Sequence, residues 1–293
     1  MPDAARAEAP EAGSLRGAAA LRLPESLAAE LLGLFERVAQ VPDKLQWVHR
    51  YICADLGEPL DAPLQRACEA VAASVDGEPA VFDRHGYHNR QHFCEVALTA
   101  YSLCQIHRLR AATTQFVVLA ALIHDVVYEG GWHRPFAHER ASVDRMRPLL
   151  AAAGLSAAQI DQLMVLVLAT DLASGTPFMA AACAAHARSA AAVLTAPAGA
   201  PELMRLLDDA ALAQLARLLC EADVLPSLGL DAGYAMRVQE RLSREWRRPL
   251  SANDKVAFID MVLAQGYIGE FYLPCVQATR AALAGASDAV VAG

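Results

Sequence analysis

The 293-residue sequence has no Cys-x-x-Cys pair, no apolar run of the 18 or so residues that a membrane helix needs, and no excess of basic charge. Each lack excludes something. Without a Cys-x-x-Cys pair the cysteines offer no paired-thiol motif. The most apolar stretch, Phe116 to Ile123, is closed by His124 and Asp125, so no membrane partner is expected. Asp and Glu number 33 against 25 Lys and Arg, a net charge of −8, which argues against a stable nucleic-acid partner, since phosphate tracking needs a basic face. The N-terminus lacks the charged-then-apolar pattern of a signal, and Asp3, Glu8 and Glu11 disfavour a transit peptide. The seven cysteines therefore read as reduced core thiols of a cytoplasmic protein. Strand alternation, internal repeats and an interdomain linker are also missing.

What is present is apolar and helical. The composition is 55% hydrophobic and 20% charged, enough for a large core. Residues 1–22 are Ala-rich with scattered Pro and Gly and read as a mobile tail. Leu27, Leu31, Leu32 and Phe35 then recur at helical spacing, with Ser26 and Glu30 marking a helix start. Further helices are predicted over roughly 61–75, 89–109, 112–128, 139–152, 157–172, 202–221, 231–247 and 252–285, with a capping box at Ser156 and Gln159. The Ala-rich stretch 180–200 reads as an inserted small-residue helix leading into a loop. The fold class is all-α: a single helical domain over 81–285, an N-terminal helical extension over 23–80, and a tail over 286–293.

Three polar interruptions carry chemistry. In Tyr87-His88-Asn89-Arg90-Gln91-His92, two imidazoles four residues apart share a helix face; alternatively, His88 and Asn89 merely cap a helix. In Ala120 to Asp125, an apolar helix ends in adjacent His124 and Asp125, costly to bury unless paired or bound to a cation. In Leu219 to Leu225, Asp223 breaks an apolar run. Together, His92, His124, Asp125 and Asp223 make a mixed nitrogen and oxygen set suited to Zn, Mn or Fe, with the carboxylates able to reach a second hard cation such as Mg. Two divalent ions would share a hydroxide for in-line attack on a phosphoryl centre, with Asp125 at the heart of the reaction. His88 stays free to protonate the leaving alkoxide.

The order His, His-Asp, Asp on an all-α scaffold resembles the HD superfamily of metal-dependent phosphohydrolases, over roughly residues 80–275. Tyr87 to His92, Ala120 to Asp125, Ala169-Thr170-Asp171, Cys220 to Asp223 and Val256 to Ile259 look like class I cyclic-nucleotide phosphodiesterases. His124 to Tyr128, His138 to Ser142 and Asp223 to Gly229 look like the uncharacterised bacterial HD phosphohydrolases. The resemblance implies His88 as general acid, His92, His124, Asp125 and Asp223 as metal ligands with Asp125 bridging, and Phe258 as a clamp on a base. Two positions depart from the phosphodiesterase pattern. Tyr128 stands where that family has a second His, and Lys255 where it has a Gln three residues before the Phe. Lys only donates, whereas an amide both donates and accepts; a solvated helix position is the alternative reading for Lys255. Glu139, Ser142, Thr170, Asp171 and Tyr128 are candidates for holding the ligands or their water. Trp132, His133 and His138 would line the mouth, Arg244, Arg247 and Arg248 form a basic face, and His186 reads as a surface residue.

The expected substrate is a small phosphorylated metabolite, most plausibly a nucleotide, and the chain could form a homo-oligomer. Two other classes compete: a nucleotide or metal sensor without turnover, and a diiron oxygenase, which would need His133, His138 or His186 as extra ligands.

Overall fold

The computed structural model describes residues 23–57, 59–130, 134–189, 194–228 and 230–291, with side chains up to residue 285. The sequence readings for the 1–22 tail and for Trp132, His133 and Gly229 lie outside the described residues. The helices are α1 Pro24–Ala39, α2 Lys44–Leu56, α3 Ala62–Gly77, the short α4 Pro79–Phe82, α5 Arg90–Ile106, α6 Ala111–Ile123, α7 Ala137–Ala152, α8 Ala157–Leu168, α9 Gly175–Ala187, the short α10 Arg205–Asp208, α11 Ala210–Leu228, α12 Ala232–Glu245, α13 Ala252–Gln265 and α14 Leu273–Val291. No strand occurs among the described residues, and the fold is all-α. None of these helices is long and apolar enough to cross a membrane.

The helices fall into two kinds, and composition decides which. In α6, every residue from Thr114 to Ile123 is buried, and in α5 every residue from His92 to Cys104. Helices apolar all round belong in a core. α5 packs on α6 and on α11, and these three form the centre. α12 is the other kind: Tyr234, Ala235, Val238, Gln239 and Leu242 face inward, Arg237, Glu240 and Arg244 face out, and Arg241 and Glu245 lie half-buried between. α1, α2 and α3 pack on α5 and α6, and one buried cluster runs from Leu27 to Leu283.

Boundaries follow local chemistry. Asn89 accepts the N–H groups of Gln91 and His92, and the capping box at Ser156 and Gln159 is formed. The predicted start at Ser26 moves outward, because Pro24 already occupies the first turn. The stretch 202–221 divides. A 3-10 turn and α10 end at Asp209, whose carboxylate accepts Leu212 N–H and starts α11, which continues to Leu228. The stretch 252–285 also divides, since Gly266 terminates α13 in the left-handed region (φ +70°). The α14 backbone continues through Val291, into the stretch read as a tail.

α9 runs into the Ala-rich stretch and ends inside it. It buries Met179, Ala182 and Ala185 and packs on α11. Its start lies so near the end of α8 that a Cβ on Gly175 would come within 2.2 Å of the Leu168 carbonyl. His186 is half-buried and its Nε2 bonds the Leu206 carbonyl at 2.7 Å, which corrects its reading as a surface residue.

Candidate active site

α5, α6 and α11 converge on one cluster. His92 lies in the first turn of α5, His124 and Asp125 directly follow α6, and Asp223 lies within α11. The His92 Nε2 and His124 Nε2 are 3.3 Å apart. Asp223 Oδ1 is 3.3 Å from the first and 3.4 Å from the second; Asp125 Oδ2 is 3.6 Å and 3.4 Å away. Both imidazoles are buried, and the carboxylates keep a narrow exposure toward a pocket.

The donor set fits a divalent cation. His124 Nδ1 donates to the Ala121 carbonyl at 2.7 Å. That bond puts the proton on Nδ1 and leaves the Nε2 lone pair facing the cluster, as a metal ligand requires. The ligand atoms of His92, His124 and Asp125 all lie within 4.8 Å of one another, with Asp223 against both imidazoles, and the two imidazole lone pairs repel unless positive charge lies between them. The electrostatics of the cluster follow from the same crowding. Burial opposes charge on His124, yet Asp125 and Asp223 hold its pKa well above the usual value, and His92 shifts the same way. Burial likewise disfavours the carboxylates, but His124 and His92 pull Asp125 well below the ordinary range and Asp223 down to about 2.

His88 stands beside the cluster, with its Nε2 4.0 Å from Asp125 Oδ2. It precedes α5 rather than sharing a helical face with His92, because Asn89 is the cap and the helix begins at Arg90. What holds it is Glu245, the last residue of α12. One Glu245 oxygen meets His88 Nδ1 at 2.5 Å; the other accepts the backbone N–H groups of Tyr87 and His88. Gly86 makes this approach possible, since a Cβ there would lie 2.7 Å from the Arg241 carbonyl of α12. Tyr128 stacks on the His88 ring at 3.8 Å between centroids and 21° between planes. Burial pushes the Tyr128 hydroxyl up to about 12, so it stays protonated.

The cluster opens into a cavity of about 350 Å³ whose lining includes His88, Asp125, Glu139, Asp223, Lys255 and Phe258. Glu139 lies in the first turn of α7, and burial, with Asp125 and Asp171 nearby, raises its carboxyl to about 8. Thr170 also lines the cavity, with its hydroxyl bonded to the Val167 carbonyl. Asp171 commits its carboxylate to backbone N–H groups of Phe136, Ala173 and Ser174, and so shapes the turn into α9. Ser142 is likewise structural, accepting Val127 N–H at 2.9 Å. Lys255 is not a solvated residue, as its alternative reading held: it is 1% exposed and bonds Ser227. Phe258 lies half-buried beside it, with the ammonium 5.3 Å from its ring centre.

Sequence reasoning passes over two residues of consequence. Glu245 sits in a polar helix, 157 residues from its partner, and carries no local signal. Glu95 does carry one, being a fully buried carboxylate inside apolar α5. It bonds Gln91, both outer nitrogens of Arg241 at 3.2 Å, and the Tyr234 hydroxyl. Glu95 thereby ties α12 to α5 and fixes the helix that presents Glu245.

No protein-family model matches the sequence, and no curated protein is significantly similar to it. Solved structures are similar. One is the structure of LmjPDEB1 in complex with IBMX, with a TM-score of 0.59 and 16% identity over 87% of this chain and 91% of that one. Another is the crystal structure of the phosphodiesterase domain of the RhoPDE fusion protein from the choanoflagellate Salpingoeca rosetta, with a TM-score of 0.56 and 14% identity over 96% and 98%. At such identities the likeness is one of fold, and it extends over nearly the whole of each chain.

Proposed function

We propose that this chain is a metal-dependent phosphohydrolase that cleaves a phosphodiester or phosphomonoester of a small nucleotide-like molecule. The observation that carries the reading is the meeting of His92, His124, Asp125 and Asp223 within 3.3–3.6 Å across the imidazole pairings, with His88 held 4.0 Å from Asp125. Those four side chains would hold one or two divalent cations, of Zn, Mn, Mg or Fe type, and Asp125 would be the carboxylate shared if there are two. A bound cation there would acidify a water and draw charge from the phosphoryl oxygens during in-line attack.

The chain's own residues do the rest. Glu245 fixes Nδ1 of His88, leaving Nε2 as the atom that delivers a proton to the departing oxygen. Tyr128 keeps the imidazole plane in place by stacking on it. Glu139, whose carboxyl burial raises to about 8, lines the same cavity as a protonated group. Phe258 and Lys255 receive the part of the substrate that does not react. The similar folds include a named phosphodiesterase domain, which favours this reading over a sensor or an oxygenase. A binding-only protein has no need of a proton donor held by a carboxylate. A diiron site would need more imidazoles: His186 bonds Leu206 instead, His133 lies outside the described residues, and His138 lines the cavity with its ring against Tyr128. The seven free thiols fit a cytoplasmic location.

The test is turnover of a nucleotide and nitrophenyl phosphoester panel with Mn, Mg, Zn and Fe supplied separately. Metal-dependent phosphate or nucleotide release that vanishes in Asp125→Ala supports the reading. Redox-active bound iron with oxygen uptake and no ester cleavage overturns it.

A further inference from the structure

Lys255 sits where a lysine is expensive. Its Nζ donates to the Ser227 carbonyl at 2.8 Å and to Ser227 Oγ at 3.2 Å. An ammonium has three N–H donors, so one remains. Among the described residues no carboxylate pairs with it. Neighbouring Asp254 turns its carboxylate back onto Ser251 N and Oγ, with Arg248 3.7 Å away. Burial lowers the Lys255 pKa to about 8, so the charged form still predominates at pH 7. A buried cation without counter-charge is destabilising unless something supplies the partner.

Its position says what that partner is. Ser227 follows Asp223 by four residues on α11, so the two share a face about 6 Å apart along the axis. Both line the same cavity, as do Lys255 and Arg248. On one wall Asp125 and Asp223 are met by His92 and His124; on the other, formed by α13 and its approach, Arg248 and Asp254 pair with each other at 3.7 Å and Lys255 is left as the charge without a counter-charge. Resting on the hydrolase reading for the first wall, we propose that the cavity takes a substrate with a second anionic group, carried about one helical turn or more from the scissile phosphate and received by Lys255 Nζ. The substrate class is then a nucleotide with two separate anionic groups, the second a phosphate on the sugar or a carboxylate on the base, rather than a nucleotide with a single phosphate.

Calorimetric titration of the Mn²⁺-supplied protein with 5′-AMP, adenosine 3′,5′-bisphosphate and N6-succinyl-AMP tests this. One of the two-anion probes should bind at least about tenfold more tightly than AMP, the worth of one charge-assisted hydrogen bond. Preference for the bisphosphate puts the second anion on the sugar; preference for the succinyl compound puts it on the base. In Lys255→Met the ratio should fall below about threefold. Lys255→Gln, which keeps a bond to Ser227 without the charge, repeats the test should the Met variant not fold. Equal affinity for all three probes in the wild type overturns the proposal. So does a ratio that survives in a folded Lys255 variant, which would make Lys255 a tie between α13 and α11 only. Phosphoester turnover on the same preparations separates the two readings. A two-anion preference without turnover keeps the subsite and removes the hydrolase. Turnover without the preference keeps the hydrolase and removes the subsite.

Discussion

On one wall of the cavity, four titratable side chains from the three most deeply packed helices compensate one another. His92 and His124 face Asp125 and Asp223, and each shift in pKa has a matching partner. On the other wall, a single ammonium on α13 is shifted by burial alone, with hydrogen bonds but no opposite charge. The first arrangement is preorganised: its charges are already near balance, and a cation would replace protons rather than create a new charge. The second arrangement is incomplete, and its energetics improve only when something anionic arrives. On the proposed function, reactivity belongs to the centre of the bundle and selectivity to a peripheral helix that packs mainly on α14.

The sharpest way to break the contrast is to unbalance the first wall. Asp125→Ala and Asp223→Ala should each lose bound metal and drop turnover to background, as read by elemental analysis beside activity. In the wild type, a divalent ion at a hundred times its dissociation constant should add about 2.7 kcal/mol of stability, and a chelator should remove it. The same chelator should leave the melting temperature of Asp125→Ala unmoved. The next largest effect belongs to His88. His88→Ala should keep the metal and lower turnover by about a hundred- to ten-thousandfold on esters with poor leaving groups. Nitrophenyl esters, which depart without a proton, should lose far less. Equal losses on both would make His88 a structural residue.

The first wall was readable in the sequence because a carboxylate or imidazole inside an apolar helix stands out. His124-Asp125 and Asp223 each end or break a greasy run, and the structure brings them together. Glu95 sends the same signal from α5 and was open to the same reasoning. The second wall was pointed to only by the resemblance that singles out Lys255 and Phe258, not by composition or periodicity. Asn253, Asp254 and Asp260 surround Lys255 in sequence and are exposed, so the helix looks solvated. Only the packing of α13 against Ser227 puts the lysine inside. Glu245 was hidden for a similar reason: a polar helix gives no hint which of its charged residues points in. The helix count fell short where one periodic stretch hid a glycine stop, at Gly266. α2, with Trp47, Val48, Tyr51 and Ile52 buried, lay within a stretch given only as a helical extension.

Glu245 offers a smaller effect that links the walls, since α12 runs between them. Glu245→Gln keeps the shape but removes the charge behind His88, and turnover should fall about ten- to a hundredfold, the usual loss when a partner behind a functional imidazole is changed. Burial disfavours the Glu245 carboxylate, but the bond from His88 and the two backbone N–H groups bring its pKa down to about 2. A depressed carboxylate stabilises the fold fully above its ordinary value near 4.5 and loses that contribution as pH falls toward 2. The stability difference between wild type and Glu245→Gln should therefore be flat above about pH 5 and shrink below it. A difference that stays flat down to pH 3 would mean the carboxylate does not hold the imidazole in solution.

The last effect concerns Lys255 in the absence of any ligand, and it is a slope in stability rather than a loss of activity. Its pKa in the folded chain is about 8, against 10.5 for an unburied lysine, with burial as the cause. Between those two values the unfolded chain keeps the proton and the folded chain releases it. Stability from this group therefore rises with pH across the window, by up to about 1.4 kcal/mol per pH unit where the two states differ by a whole proton. Below pH 8 both states are protonated and the slope vanishes; above 10.5 both are neutral and it vanishes again. Other groups titrate over the same range, so the measurement is the difference between wild type and Lys255→Met in chemical denaturation from pH 7 to pH 10.5. The wild type should gain on the variant as pH rises, because deprotonation removes a charge that the variant never carried. A flat difference would show that Lys255 keeps an ordinary pKa and has a counter-charge or water of its own. The second wall would then be as balanced as the first, and the contrast between them would disappear.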